Sequence, residues 1–255
     1  MTSYPRNRLK QKLGAGQPAL GFWLSLNSLP LTEMAAGAGW DWLLLDMEHA
    51  VYTDETVERH LVVARHGGDA ELVVRIPSID PVLVKRLLDA GVRSFMFPFV
   101  QTAVEAELAV QATRYPPAGI RGFSGATRAN RYGRDTHYLE TYTDDICIII
   151  QIETPDAVAA IPALGAVDGV DGMLIGMSDL AANLGLVGQR GHPEALAKFD
   201  EAGKAIMATG KAAGFQGFDV ATSRRFIAEG YTLAAVGGDI AQVNAGMSDL
   251  LARFR

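Results

Sequence analysis

Apolar residues fall along this chain in short runs separated by stretches with a longer period. The runs lie at 20–24, 42–45, 72–76, 94–98, 146–152, 173–175, 214–218 and 233–236, and each has about the length of a buried strand. Between most of them the spacing turns helical, as in Val82, Leu83, Leu87 and Leu88 or in Val104, Leu108, Ala109 and Ala112. Strand and helix patterns in alternation are the mark of parallel βα units. Eight units predict a closed (β/α)₈ TIM barrel, and 255 residues is near the ~250 such a barrel needs, so residues 1–255 are expected to form one domain.

Two stretches depart from the rhythm. Residues 115–145 open with Pro116-Pro117 and carry Gly119, Gly122, Gly125 and Gly133 among arginines and aromatics, a loop long enough to suggest a function. The last segment sets Ile240, Val243, Met247, Leu250, Leu251 and Phe254 on one helical face, which could pack on its own barrel or on a neighbour's. Arg6, Arg8, Lys10 and Lys12 precede no long apolar segment and read as a short solvated helix ending near Gly14, without signal peptide or membrane span.

Composition narrows the partners. A formal net charge of -6 with no basic block lacks the footprint of nucleic-acid or anionic-membrane binding. Cys147 is the only cysteine and sits in an apolar run, so disulfides and thiolate metal sites are excluded and a cytoplasmic location is expected.

Active sites of such barrels lie at the C-terminal ends of the strands, so the polar residues closing each run matter most. The second run leads into Asp46-Met47-Glu48-His49, the third carries Arg75, the fifth runs into Gln151-Ile152-Glu153-Thr154, and the sixth leads to Ser178-Asp179. Glu153 and Asp179, hard oxygen donors from adjacent strands, are candidate ligands for Mg²⁺, Mn²⁺ or Co²⁺ with open positions for a chelating substrate. Helix N-capping is the alternative use of both acids. A cation such as Arg75 at the mouth needs an anionic partner and could stabilise a developing enolate oxygen; pairing with a neighbouring acid is the structural alternative. His49 is the candidate general acid or base, with Asp89 as the group that could orient it. His60, His66, His137 and His192 lack such company and read as surface or structural residues. None of the six lysines, at 10, 12, 85, 198, 204 and 211, lies in a strand run, which disfavours Schiff-base chemistry. Gly237-Gly238-Asp239 reads as a turn that could receive a carboxylate, and no nucleotide-binding fingerprint is present.

With these residues in place, the chain from about 21 to 254 resembles the HpcH/HpaI family of class II pyruvate aldolases. The resemblance is carried by Gly39-Trp40-Asp41-Trp42 leading into Asp46-Met47-Glu48-His49-Ala50, by Val74-Arg75-Ile76-Pro77, and by Lys85-Arg86-Leu87-Leu88-Asp89-Ala90-Gly91. Further support comes from Thr113-Arg114-Tyr115-Pro116-Pro117, Gly119-Ile120-Arg121-Gly122, Arg128-Ala129-Asn130, Gln151-Ile152-Glu153, Gly172-Met173-Leu174-Ile175-Gly176 and Ser178-Asp179-Leu180.

The resemblance implies reversible aldol cleavage of a 4-hydroxy-2-oxo acid to pyruvate and an aldehyde. It implies a divalent metal on Glu153 and Asp179, and Arg75 beside the keto oxygen. His49, backed by Asp89, would handle the aldol hydroxyl proton, Asp46 and Glu48 would shape that side through water, and backbone N–H groups around Ser178 and Asp179 would hold the carboxylate. Gln151 joins these as a substrate-binding position, and Arg121, Arg128 and Gln216 are expected to touch the aldehyde half. A homohexamer, a trimer of dimers that exchange C-terminal helices, is implied as well. Met47 and Met177 stand where the family usually has Gly and Pro, and are expected to narrow or reshape the mouth. The competing readings are another metal-enolate lyase, such as an oxaloacetate decarboxylase or an acyl-CoA ester lyase, and a barrel kept only as an oligomeric scaffold.

Overall fold

The computed structural model describes residues 6–255. Eight strands, β1 (Ala19–Leu24), β2 (Trp42–Asp46), β3 (Glu71–Arg75), β4 (Ser94–Phe97), β5 (Cys147–Ile152), β6 (Gly172–Ile175), β7 (Ala212–Gln216) and β8 (Leu233–Gly238), pair in parallel and in chain order. Pairing of β1 with β8 closes the barrel. The expected (β/α)₈ architecture is therefore the one observed. Seven strands begin where the hydrophobic runs put them, to within a residue. β7 begins two residues earlier than its run, because Ala212 pairs with Gly172 and Gly217, at φ +71°, turns the chain out of the sheet.

The helices that follow the strands are α2 (Leu29–Gly37), α3 (Asp54–Gly67), α4 (Pro81–Ala90), α5 (Ala103–Thr113), α7 (Pro155–Gly165), α8 (Met177–Asn183) with α9 (Pro193–Ala208), α10 (Val220–Ala228) and α11 (Asp239–Ala252). Their starts are written locally. Thr53, Thr102 and Thr154 accept hydrogen bonds from the first-turn N–H groups of α3, α5 and α7, and Asp80 followed by Pro81 starts α4.

Strand alternation sorts side chains into two cores. One face packs on the helices, while Trp23, Trp42, Leu44, Val73, Met96, Cys147, Ile149 and Leu174 fill the barrel itself. Trp42 lies so close to β1 that a Cβ on Gly21 would overlap its indole, so position 21 has room for glycine alone. The N-terminal helix α1 (Arg8–Gly14) puts Leu9 and Leu13 into this interior cluster, so it plugs the barrel's N-terminal end as well as meeting solvent.

The 115–145 stretch connects α5 to β5 and so also lies at the N-terminal end, where it contains α6 (Tyr138–Thr141) and a 3₁₀ turn (Tyr142–Asp145). Its centre is Arg121, whose side chain is 0% exposed. The guanidinium stacks on Tyr115 at 4.4 Å, donates to Tyr138 Oη at 3.0 Å and pairs with Asp89 Oδ1 at 2.7 Å. Asn7 ties this loop to the barrel by donating to Ser94 Oγ and to the Asp145 carbonyl, both at 2.9 Å.

Candidate active site

The residues that fill the barrel also dictate the site, because a strand places every second side chain on the same face. Leu44 and Val73 point inward, and two residues on, at the C-terminal ends of β2 and β3, so do Asp46 and Arg75, which are direct register partners. Ile149 points inward, and the same parity carries Gln151 and then Glu153 to the mouth.

Arg75 is held as a rigid fork. Its Nε and Nη2 donate to Asp46 Oδ1 and Oδ2 at 2.9 and 2.7 Å, and Nη1 lies 2.9 Å from Glu48 Oε2, close enough to pair although not aligned as a hydrogen bond. Trp23 stacks beneath the guanidinium at 4.9 Å and donates from Nε1 to Asp46 at 3.3 Å. Asp46 Oδ1 also accepts the N–H groups of Glu48 and His49. Burial pushes the Asp46 pKa up, but the hydrogen bonds and charge of Arg75 outweigh it and hold the carboxyl below its ordinary range. For Glu48, burial wins over Arg75 and its pKa rises. Asp46 and Glu48 thus both lie directly against Arg75.

Glu153 is buried, with Oε2 accepting the Phe99 N–H at 2.8 Å and Oε1 accepting from Gln151 Nε2 at 3.1 Å. Burial raises its pKa to about 7; the Phe99 N–H lowers it, the like charges of Asp179 and Glu48 raise it, and Arg75 lowers it. A buried acid facing two others is a site that gains from a cation. Gln151 Oε1 is buried without a hydrogen-bond partner and adds a free oxygen to the same place. Asn183 donates to the carbonyls of Glu153 and Asp179 at 3.2 and 2.9 Å, tying the two acid-bearing turns together. Asp179 lies in the first turn of α8, half-buried beside exposed Ser178, and α8 has no side-chain N-cap. Among the described residues no cluster of three or more His, Cys, Asp or Glu side chains cages a metal. The donor set is two carboxylates and an amide oxygen, which suits a hard divalent cation that keeps positions open.

His49 stands at the rim, its side chain 65% exposed and Nε2 3.9 Å from Glu48 Oε2. Gln216 ends β7 at the same mouth, half-buried, its carbonyl accepting from Arg190. Arg75, Asp46, Glu48, His49, Gln151, Glu153, Ser178, Asp179 and Gln216 all belong to the C-terminal face.

Three expected residues do not. Asp89, at the end of α4, and Arg121 and Arg128, in the α5–β5 connection, lie at the opposite end of the barrel, because helices and the loops after them return the chain to the strands' N-terminal side. Asp89 is paired with Arg121, and Arg128 donates to the Ala90 carbonyl at 2.8 Å. Within one subunit, then, Asp89 does not orient His49, and these arginines do not face the aldehyde half. Met47 and Met177 likewise bury their thioethers in the hydrophobic core instead of narrowing the mouth. A cavity of about 620 Å³ also opens at the N-terminal end, bordered by Leu88, Arg93 and Tyr142; it shares no residue with the mouth. Chemistry locates the site here, and cavity size does not.

Sequence reasoning missed Trp23, Phe99, Gly176 and Asn183. Phe99 takes a left-handed backbone, φ +54°, to aim its N–H at Glu153. A Cβ on Gly176 would overlap the Glu153 carboxylate. The available signals were the strand parity of Trp23 and the glycine closing a β-run at 176.

A family model described as HpcH/HpaI aldolase/citrate lyase matches residues 19–245. The chain is 44% identical over 251 residues to a pyruvate aldolase of Rhizobium etli, covering 98% of each protein. It is 42% identical over 251 residues to a 4-hydroxy-2-oxo-heptane-1,7-dioate aldolase of Salmonella heidelberg, covering 98% of this chain and 95% of that one. A crystal structure of a family protein from Burkholderia cenocepacia superposes with a TM-score of 0.94 at 37% identity, covering 98% and 99% of the two chains. With an intact barrel, an intact acid–arginine mouth and near full-length relatives, the chain belongs to the HpcH/HpaI aldolase/citrate lyase family.

Proposed function

We propose that the whole chain is one aldolase domain that reversibly cleaves a 4-hydroxy-2-oxo acid to pyruvate and an aldehyde. The observation that carries the reading is the juxtaposition of Arg75, fixed by Asp46, with the buried Glu153 whose pKa is raised to about 7. Glu153 and Asp179 would hold a divalent ion, Mg²⁺, Mn²⁺ or Co²⁺, which when bound supplies Lewis-acid polarisation of the 2-oxo acid. Gln151 Nε2 donates to Glu153 Oε1 and orients that carboxylate, which leaves Gln151 Oε1 free toward the substrate.

Arg75 then stabilises charge as it develops on the keto oxygen. Because Asp46 and Trp23 hold the guanidinium in place before substrate arrives, little reorganisation is needed during the reaction. First-turn N–H groups of α8 around Ser178 and Asp179 receive the substrate carboxylate. His49 takes the proton of the C4 hydroxyl as the C3–C4 bond breaks, leaving an aldehyde and the enolate of pyruvate, and Gln216 faces the aldehyde end. In the family's hexameric arrangement, C-terminal helices exchange between subunits, which would cover the exposed apolar residues of α11. Among the described residues no helix is long and apolar enough to cross a membrane, and we place the enzyme in the cytoplasm acting on small molecules.

Deuterium exchange into the methyl group of pyruvate, followed by NMR with Mn²⁺ or Mg²⁺ and with a chelator control, tests the reading before any aldehyde is known. Exchange that needs the metal, and is lost in Glu153→Gln and Arg75→Ala with the fold retained, is the expected result. Exchange unaffected by chelator would overturn the metal assignment, and no exchange with either metal would overturn the pyruvate assignment.

A further inference from the structure

We propose that Asn27 is a positioning residue for this reaction: it clamps the loop that carries His49, and the buried His60 holds the clamp in the required orientation. The inference rests on the reading of His49 given above. Asn27 lies in the β1–α2 loop with a left-handed backbone, φ +48°, a conformation that costs a side-chain-bearing residue and that Asn tolerates better than most. Its hydrogen-bonding groups converge on the next loop and the helix behind it. Nδ2 donates to the Val51 carbonyl at 2.7 Å, the backbone N–H donates to Tyr52 Oη at 3.1 Å, and Oδ1 lies 2.9 Å from His60 Nε2.

These contacts determine one another. Nδ2 must face a carbonyl that can only accept, so Oδ1 faces His60 and Nε2 there carries the hydrogen. His60 Nδ1 is then an acceptor, satisfied by the Thr32 hydroxyl at 2.7 Å. His60 is 1% exposed and its ring meets Tyr52 edge-on at 5.2 Å, so this arrangement has little room to change. The base of the clamp is equally fixed, since the N–H groups of Ser25 and Leu26 both donate to buried Asp239 at 2.9 Å.

The need for a clamp lies in His49 itself. With 65% of its side chain exposed, the imidazole is placed by its backbone more than by its surroundings. That backbone is gripped on one side by Asp46, which accepts the His49 N–H, and on the other by Asn27, which holds Val51 two residues on. Pyruvate enolisation uses Arg75 and Glu153, on other strands, whereas carbon–carbon cleavage needs the imidazole within proton-transfer range. Releasing Val51 should therefore separate the two activities.

The test compares Asn27→Gly, Asn27→Asp, His60→Gln and His60→Phe in three assays: cleavage of 4-hydroxy-2-oxopentanoate, pyruvate methyl deuteration, and thermal unfolding. Glycine keeps the backbone conformation and removes the clamp; aspartate keeps the acceptor for His60 but loses the donor to Val51. In both Asn27 variants, kcat for cleavage is expected to fall by about ten- to a hundredfold, with deuteration within about twofold of wild type. His60→Gln, which retains an N–H donor for Asn27, is expected to keep more cleavage than His60→Phe. Cleavage and deuteration falling together, in step with thermal stability, would reduce the network to a structural brace and overturn the proposal, as would wild-type cleavage by Asn27→Gly. If wild type neither deuterates pyruvate nor cleaves the substrate, the functional reading fails instead. Backbone hydrogen exchange then decides the clamp: faster exchange at residues 50–52 in Asn27→Gly supports it, and unchanged exchange overturns it.

Discussion

At the scale of single residues, the site depends on close approach as much as on charge. Gly176 has an ordinary backbone conformation, so its requirement is space: any Cβ would strike the Glu153 carboxylate. Gly176→Ala is expected to weaken Mn²⁺ binding at least about tenfold by calorimetric titration, with unchanged far-UV circular dichroism. His60 gives a second prediction, in pH. Burial takes its pKa from 6.5 to about 4. Above pH 6.5 the imidazole is neutral folded and unfolded, and the full stability is present. Between 6.5 and 4 the unfolded chain takes up the proton first, so stability drains as pH falls, by about 3 kcal/mol at most. Denaturant unfolding from pH 7 to 4.5 should show a shallower loss for His60→Gln than for wild type; equal slopes would contradict the buried, neutral assignment. His60 was expected to be a surface or structural residue, and its partners Asn27 and Thr32, distant in sequence, are what give it more weight.

At the scale of elements, the α5–β5 connection is the instructive case. Its length and its arginines suggested substrate contact, but its position after a helix assigns it to the end of the barrel away from the mouth. Arg121 there is the loop's own core, a desolvated cation offset by Asp89 and three tyrosine rings. Arg121→Ala is expected to cost roughly 3–5 kcal/mol in unfolding free energy, because it strands a carboxylate and opens an aromatic cluster. A loss below about 1 kcal/mol would show that the cluster is not a core. The strands behaved differently. The polar residues closing the apolar runs of β2, β3 and β5 were legible from sequence, and strand alternation carries Asp46, Arg75, Gln151 and Glu153 to one mouth.

At the scale of the whole molecule, α11 is anchored to the barrel through Asp239 while its apolar side chains face away from it. Met247, Leu250 and Leu251 are 58%, 58% and 50% exposed, and Asp239 is the helix's one buried residue. Apolar side chains aligned this way are costly in water, and helix exchange in a hexamer would cover them. Light scattering of wild type is expected to give a multiple of the 27.3 kDa chain mass, and Leu250→Asp with Met247→Asp a smaller one. A monomeric wild type would remove the hexamer from the reading.

The sequence by itself determined the barrel, the end of it that carries chemistry, and most of the mouth. Each follows from a local rule: strand and helix periods alternate, a strand's side chains alternate, and polar residues at the ends of such strands collect on one face. Only the tertiary structure decided that within one subunit Asp89 pairs with Arg121 and lies away from His49, that Met47 and Met177 turn into the core, and that Phe99, Gly176 and Asn27 shape the site. These depend on contacts between distant segments and on where a helix ends in space. No spacing along the chain encodes that a backbone N–H at residue 99 will meet a carboxylate at residue 153.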